Sequence, residues 1–181
     1  MKAVMISIQP KWVEKIASGQ KTIEVRKTAP KEVPFKCYIY ETKGQYVKFT
    51  HGAHTKYGYG RGKVIGEFIC DKVYSIKNRG SSFSVADEEQ SVTNEIARQS
   101  CLYYDDMVSY FGNKDGFGWH ISDLKIYDKP RELSEFSRPC SYSGLCFSCK
   151  RTSFKKDGNL LCNTKITRPP QSWMRVEDLG D

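Results

Sequence analysis

Apolar residues recur in short runs along most of this chain, and one helical stripe interrupts them near the start. Ala3–Ile8 is almost wholly apolar and reads as a first strand. Trp12, Val13, Ile16 and Ala17 then recur at helical spacing. Pro10 suits the first turn of that helix because it has no amide hydrogen to lose there, and Gly19 closes it as a carboxy-terminal cap. Thr22–Arg26 and Phe35–Glu41 are strand-like, the second alternating Phe35, Cys37 and Ile39 with Lys36, Tyr38 and Tyr40. Residues 43–62 form a polar loop rich in Gly, Tyr and His. Lys63–Ile76 reads as one long strand, with Gly66 marking a bulge. Ser84–Gln90 is an acidic turn, Ser91–Cys101 and Tyr103–Phe111 are helices, and Gly112–Gly118 is a loop. A strand follows through Trp119–Tyr127 and is stopped by Pro130. Arg131–Phe136 is a short turn or helix, and Ser172–Glu177 is the last strand, pairing back into the sheet. Short strands with few helices predict an α+β fold, a curved mixed sheet or small β-barrel with flanking helices.

The run Gly19-Gln-Lys-Thr-Ile-Glu-Val-Arg26, between the first helix and the second strand, carries the densest chemistry. Strand alternation puts Thr22, Glu24 and Arg26 on one face and Ile23 and Val25 on the other. Lys21 lies at the turn and need not follow that alternation. A cation, a carboxylate and a second cation would then gather at one end of a helix. Lys21 and Arg26 can meet a phosphate or carbonyl oxygen. Glu24 can accept from an exocyclic amine or hold Arg26 in place. The simpler reading is a hairpin with solvated charges.

Charge sharpens this picture. The net charge of +8 over 181 residues is not evenly spread. Residues 1–72 carry 14 basic and 6 acidic side chains, residues 73–139 carry 8 and 11, and residues 140–168 carry 6 and 1. Two positive blocks flank an acidic middle, and a polyanion such as RNA or DNA is their natural partner. In the loop, Tyr46, Tyr57 and Tyr59 lie among Lys48, Lys56 and Arg61, a mixture that stacks bases and pairs phosphates. Trp119 offers a further stacking face, whereas Trp12 reads as core. No apolar run approaches the roughly 20 residues that span a bilayer. The amino-terminal apolar stretch is too short for a secretory signal, so a cytoplasmic protein with no membrane partner is expected.

Four of the seven cysteines form Cys140-x5-Cys146-x2-Cys149-x12-Cys162. Two cysteine pairs supply four thiolates for tetrahedral Zn²⁺, and four protein ligands make a closed, structural site. An iron–sulfur cluster uses the same ligands. The segment has few apolar side chains, so metal binding would supply its folding free energy. Its Lys150, Arg151, Lys155, Lys156 and Lys165 would extend a nucleic-acid surface. Cys37 and Cys70 read as buried small hydrophobes.

Gly19-x-Lys21-x-x-Glu24-x-Arg26 after an amphipathic helix resembles the signature of the ASCH family in the PUA-like superfamily. Lys63–Cys70, Gly118-Trp119-His120-Ile121 and the closing Arg168-Pro-Pro-Gln-Ser-Trp173, which is similar to bacterial and phage members, fit the same order. The resemblance covers residues 1–136 and 166–178, leaving 137–165 as an insert. It implies a PUA-like barrel with a cleft beside the first helix that binds RNA or modified nucleotides. Some members are amidohydrolases of acetylated cytidine and some are ribonucleases. The amidohydrolases resemble this chain at Lys21, their base. Their nucleophilic threonine falls where this chain has Glu24, which weakens an acyl-transfer reading; Thr22 is a displaced substitute.

Three readings result. The first is a module that binds RNA or a nucleotide through Lys21, Thr22, Glu24, Arg26, Tyr57, Arg61 and Trp119. The second is a small hydrolase or ribonuclease with Lys21 and Glu24 as its acid–base pair. The third is a phage-type protein that binds a host protein through the cysteine insert.

Overall fold

The computed structural model describes residues 1–51, 54–139, 152–154, 160–162 and 164–180. Strand β1 (Ala3–Ile8) is buried along its whole length. It pairs in parallel with β3 (Phe35–Glu41) and antiparallel with β13 (Trp173–Val176). With β6 (Val64–Cys70) and β10 (Ser122–Arg131) they make a five-stranded sheet in the order β10-β6-β3-β1-β13. Helix α1 (Pro10–Ala17) buries Val13 and Ile16. These join Val4, Ile6, Ile8, Phe35, Ile39 and Phe68 in one core. Gly19, at φ +74°, ends the helix in the left-handed region that a β-carbon disfavours. The opposite face of the sheet buries Met5, Tyr38, Tyr40, Val64 and Phe136.

A second sheet has the order β2-β9-β7-β8, from β2 (Ile23–Arg26), β9 (Gly116–His120), β7 (Val73–Asn78) and β8 (Phe83–Val85). Helices α2 (Gln90–Ser100) and α3 (Tyr104–Phe111) cover it. Ile23 and Val25 face this cover, in a core with Ile76, Ile96, Met107 and Phe111. Glu24 and Arg26 are thereby turned to the other face.

The fold is thus mixed α+β, as the pattern predicts, but several details differ. Among the described residues the two larger sheets are open rather than a closed barrel. The run expected as one strand over Lys63–Ile76 is two, because the chain leaves the first sheet at Asp71–Lys72 and enters the second. Both residues are exposed there, and Asp71 is held by the His120 imidazole at 2.6 Å. The expected Trp119–Tyr127 strand likewise divides between β9 and β10. Strand β10 continues through Pro130 because it is an edge strand, where a missing N–H breaks no ladder. The polar loop is a hairpin, β4 (Gly44–His51) with β5 (His54–Gly60). Its tyrosines have strand propensity that its glycines masked. Tyr46 lies opposite Gly58, and a β-carbon at Gly58 would stand 2.4 Å from the Tyr46 ring.

Between the sheets and the tail, β11 (Thr152–Phe154) pairs with β12 (Leu160–Cys162). Ser137 and Lys165 form an antiparallel bridge. The Ile166 amide donates to the Phe136 carbonyl at 3.0 Å. Residues 136–138 and 164–166 therefore run side by side. Cys140, Cys146 and Cys149 lie outside the described residues.

Candidate nucleotide-binding cavity

The turn after α1 and the whole of β2 bring three charges together in the interior. Lys21 is 2% exposed, Glu24 4% and Arg26 8%. The Arg26 Nη2 forms an ion pair with Glu24 Oε1 at 2.9 Å and donates to the Ser7 carbonyl at 2.7 Å. Lys21 Nζ stands 3.4 Å from Glu24 Oε2 and donates to the Ser100 carbonyl at 2.6 Å. Ser100 is the last residue of α2, so the ammonium also caps the negative end of that helix. Two buried atoms of this triad have no hydrogen-bond partner, Glu24 Oε2 and Arg26 Nε. Both atoms are sealed from solvent, and Glu24 Oε2 has the Lys21 ammonium as its ion-pair partner. Burial pushes the Lys21 pKa down from its ordinary 10.5, against the opposing pull of Glu24.

The triad lines a cavity of about 550 Å³, within the roughly 300–1,000 Å³ usual for small-ligand sites. Ser7 and Ile8 of β1, Lys11 and Trp12 of α1, and Asp106, Ser109 and Tyr110 of α3 complete much of the wall. The Trp12 ring has Lys11 Nζ at 4.5 Å and Lys21 Nζ at 5.3 Å from its centre. Lys27 Nζ lies 5.2 Å from the centre of the Tyr110 ring.

Lys21, Glu24 and Arg26 therefore meet, while the other expected ligand contacts do not join them. Thr22 is absent from the cavity wall. Its amide donates to the Gln99 carbonyl at 3.0 Å, and its own carbonyl accepts from Ile121 at 2.9 Å. It is a poor stand-in for a nucleophile. Trp119 is wholly buried, edge-on to Phe35 and Trp173 at 5.2 and 5.8 Å. It cannot offer a stacking face, because both sheets close over it. Tyr57 and Arg61 are exposed on and just after the hairpin, away from the cavity wall. Trp12 moves the other way: expected in the core, it is half-buried and lines the cavity. Asp106, Ser109 and Tyr110 share one face of α3 by helical spacing, but only the packing of α3 beside β2 turns that face to the cavity. Cys162 ends β12. Among the described residues no His, Cys, Asp and Glu group of three or more could hold a metal ion.

The model of the ASCH domain matches residues 6–130, from β1 to the end of β10. The chain belongs to the ASCH domain family. Its fold is accordingly PUA-like. A serine-to-alanine variant of the ASCH protein of Zymomonas mobilis is similar over 97% of this chain and 89% of its own, with TM-score 0.54 and 16% identity. Another crystal structure of that ASCH protein gives a TM-score of 0.49 at 19% identity, covering 73% of this chain and 74% of that one. At such identities the likeness is one of fold. No curated protein matches the chain. No helix among the described residues is long and apolar enough to cross a membrane.

Proposed function

We propose that this ASCH domain binds RNA or a modified nucleotide in the cavity lined by Lys21, Glu24 and Arg26. The observation that carries the reading is a buried cluster of two cations and a carboxylate, Lys21, Arg26 and Glu24, among the residues that line a cavity of ligand size. Trp12 and Tyr110 supply aromatic surface for a base. The cysteine insert, residues 137–165 on a body of 1–136 and 166–178, holds a structural Zn²⁺ through Cys140, Cys146, Cys149 and Cys162 and adds a basic surface for the flanking strand. The spacing of the cysteines and the adjacent positions of its two ends support that division. The working location is the cytoplasm. The test is titration of labelled single-stranded RNA and of mononucleotides into wild-type protein, Lys21→Ala and Arg26→Ala, with circular dichroism to verify folding. Binding that weakens steeply with salt and is lost in both variants is expected. Absent or salt-independent binding overturns the reading.

One observation favours a hydrolytic second reading. Burial lowers the Lys21 pKa, and an amine nearer neutrality is a better general base. Lys21 would then take a proton from water or a ribose hydroxyl while Glu24 orients it. Turnover of acetylated cytidine or RNA that Lys21→Ala abolishes is the expected result. Both substrates remaining intact removes this reading.

A further inference from the structure

We infer that the β4–β5 hairpin is a stacking platform for unpaired bases of a single-stranded RNA that runs out of the cavity. This rests on the nucleotide reading above and adds a contact surface outside the cavity wall. The hairpin is a two-stranded sheet by itself. None of its described side chains joins the three cores. A lone hairpin is at best marginally stable, and this one packs against α1. A β-carbon at Gly60 would stand 1.8 Å from the Thr42 carbonyl oxygen and 2.5 Å from Pro10. Thr42 lines the cavity, as does Lys11, the neighbour of Pro10. The root of the hairpin is therefore at the rim of the cavity.

Strand alternation sorts the two faces of β5. Gly58 and Gly60 share the face that meets the Tyr46 ring, Thr42 and Pro10. Tyr57 and Tyr59 share the other face, turned from α1, and are 52% and 70% exposed. Two residues along a strand span about 6.6 Å, so each ring can take one of two successive bases. The surrounding charge suits a polyanion. From residue 42 to residue 66 the chain carries Lys43, Lys48, Lys56, Arg61 and Lys63 and neither Asp nor Glu. Of these, Lys63 is tied to Glu132 at 2.7 Å. Arg61 is exposed, and its amide donates to Glu41 Oε2 at 2.8 Å, which fixes where the chain leaves the hairpin. A duplex hides the faces of its bases, so exposed rings among cations fit an unpaired strand.

The experiment is fluorescence anisotropy of a labelled mixed-sequence dodecamer RNA, alone and in duplex with its complement, at one ionic strength. The proteins are the full chain, the pair Tyr57→Ala with Tyr59→Ala, and the pair Tyr57→Phe with Tyr59→Phe, each verified as folded by circular dichroism. The ribonucleoside 5′-monophosphates are titrated into wild type by calorimetry. The single strand is expected to bind wild type about tenfold or more tightly than the alanine pair. The phenylalanine pair keeps both rings and should bind like wild type, and the duplex should bind more weakly than the single strand. An alanine pair that binds like wild type overturns the platform, as does a phenylalanine pair as weak as the alanine one or a duplex bound as tightly as the single strand. In each of those cases a monophosphate that binds wild type leaves the cavity reading standing. If neither the dodecamer nor any monophosphate binds, both fall.

Discussion

Replacing Arg26 by leucine tests whether the buried charges serve the fold or a ligand. The substitution removes the ion pair with Glu24 at 2.9 Å and the hydrogen bond to the Ser7 carbonyl at 2.7 Å. Glu24 is left buried with Lys21 alone, 3.4 Å away and too poorly aimed for a hydrogen bond. Removing one partner of a buried ion pair costs about 3–5 kcal/mol. An orphaned buried carbonyl adds roughly 1–3 kcal/mol. The low ends together come to about 4 kcal/mol. The triple variant Lys21→Met, Glu24→Leu, Arg26→Leu has no charge left to strand. Replacing a whole buried ion cluster by apolar side chains is often neutral or stabilising by about 1–4 kcal/mol. Here Lys21's hydrogen bond to Ser100 and Arg26's to Ser7 are also lost, at about 1 kcal/mol each. The triple variant is therefore expected within about 2 kcal/mol of wild type. Urea unfolding followed by tryptophan fluorescence separates the cases. Arg26→Leu should lower the midpoint by about 1 M or more, and the triple variant should shift it by less. Both should lose ligand. A triple variant as unstable as the single one would refute the argument, because the charges would then be part of what holds the sheets together.

The lowered Lys21 pKa predicts a pH dependence. Between its folded value and 10.5 the unfolded chain binds more protons at this site than the native one. Stability relative to Lys21→Met should therefore rise with pH through that window, measured by urea midpoints at stepped alkaline pH; a flat or falling difference contradicts it. Elemental analysis should find one zinc per chain that Cys149→Ser loses together with thermal stability; purified protein free of both zinc and iron contradicts a metal-held insert. Substituting Lys150, Arg151, Lys155 and Lys156 together by alanine should flatten the salt dependence of single-stranded RNA binding by about 3 in log–log slope, and an unchanged slope removes the insert from the interface. In Gly60→Ala the new β-carbon would lie 1.8 Å from the Thr42 carbonyl oxygen and 2.5 Å from Pro10. Denaturant unfolding should show a loss of about 1–3 kcal/mol.

The first helix, β3, α2, α3 and the closing strand were legible within a residue or two, because each carries a single period and a recognisable end. The gathering of Lys21, Glu24 and Arg26 was legible too, since it is a local matter of one turn and one strand. Residues whose role depends on a distant partner were not. Trp119 is sealed between the sheets and Trp12 lines the cavity, and the sequence neighbours of neither state this. The division of two apparent strands could not be read either. An apolar run continues across a change of sheet without a break in pattern, and hydrogen-bond partners are not written into periodicity.

By itself, then, the sequence determined the α+β character, the two basic blocks, the four-cysteine spacing and the charged run at Gly19–Arg26. These follow from composition and short-range stereochemistry. Only the tertiary structure decided that this run is buried rather than solvated, because burial is set by what β1, α1, α2 and α3 place over it. Arg26 then spends Nη2 on the Ser7 carbonyl of β1 and on Glu24 of its own strand, and Glu24 Oε2 and Arg26 Nε are left without hydrogen bonds. No local rule foretells that, since an unspent hydrogen bond is a property of the whole enclosure.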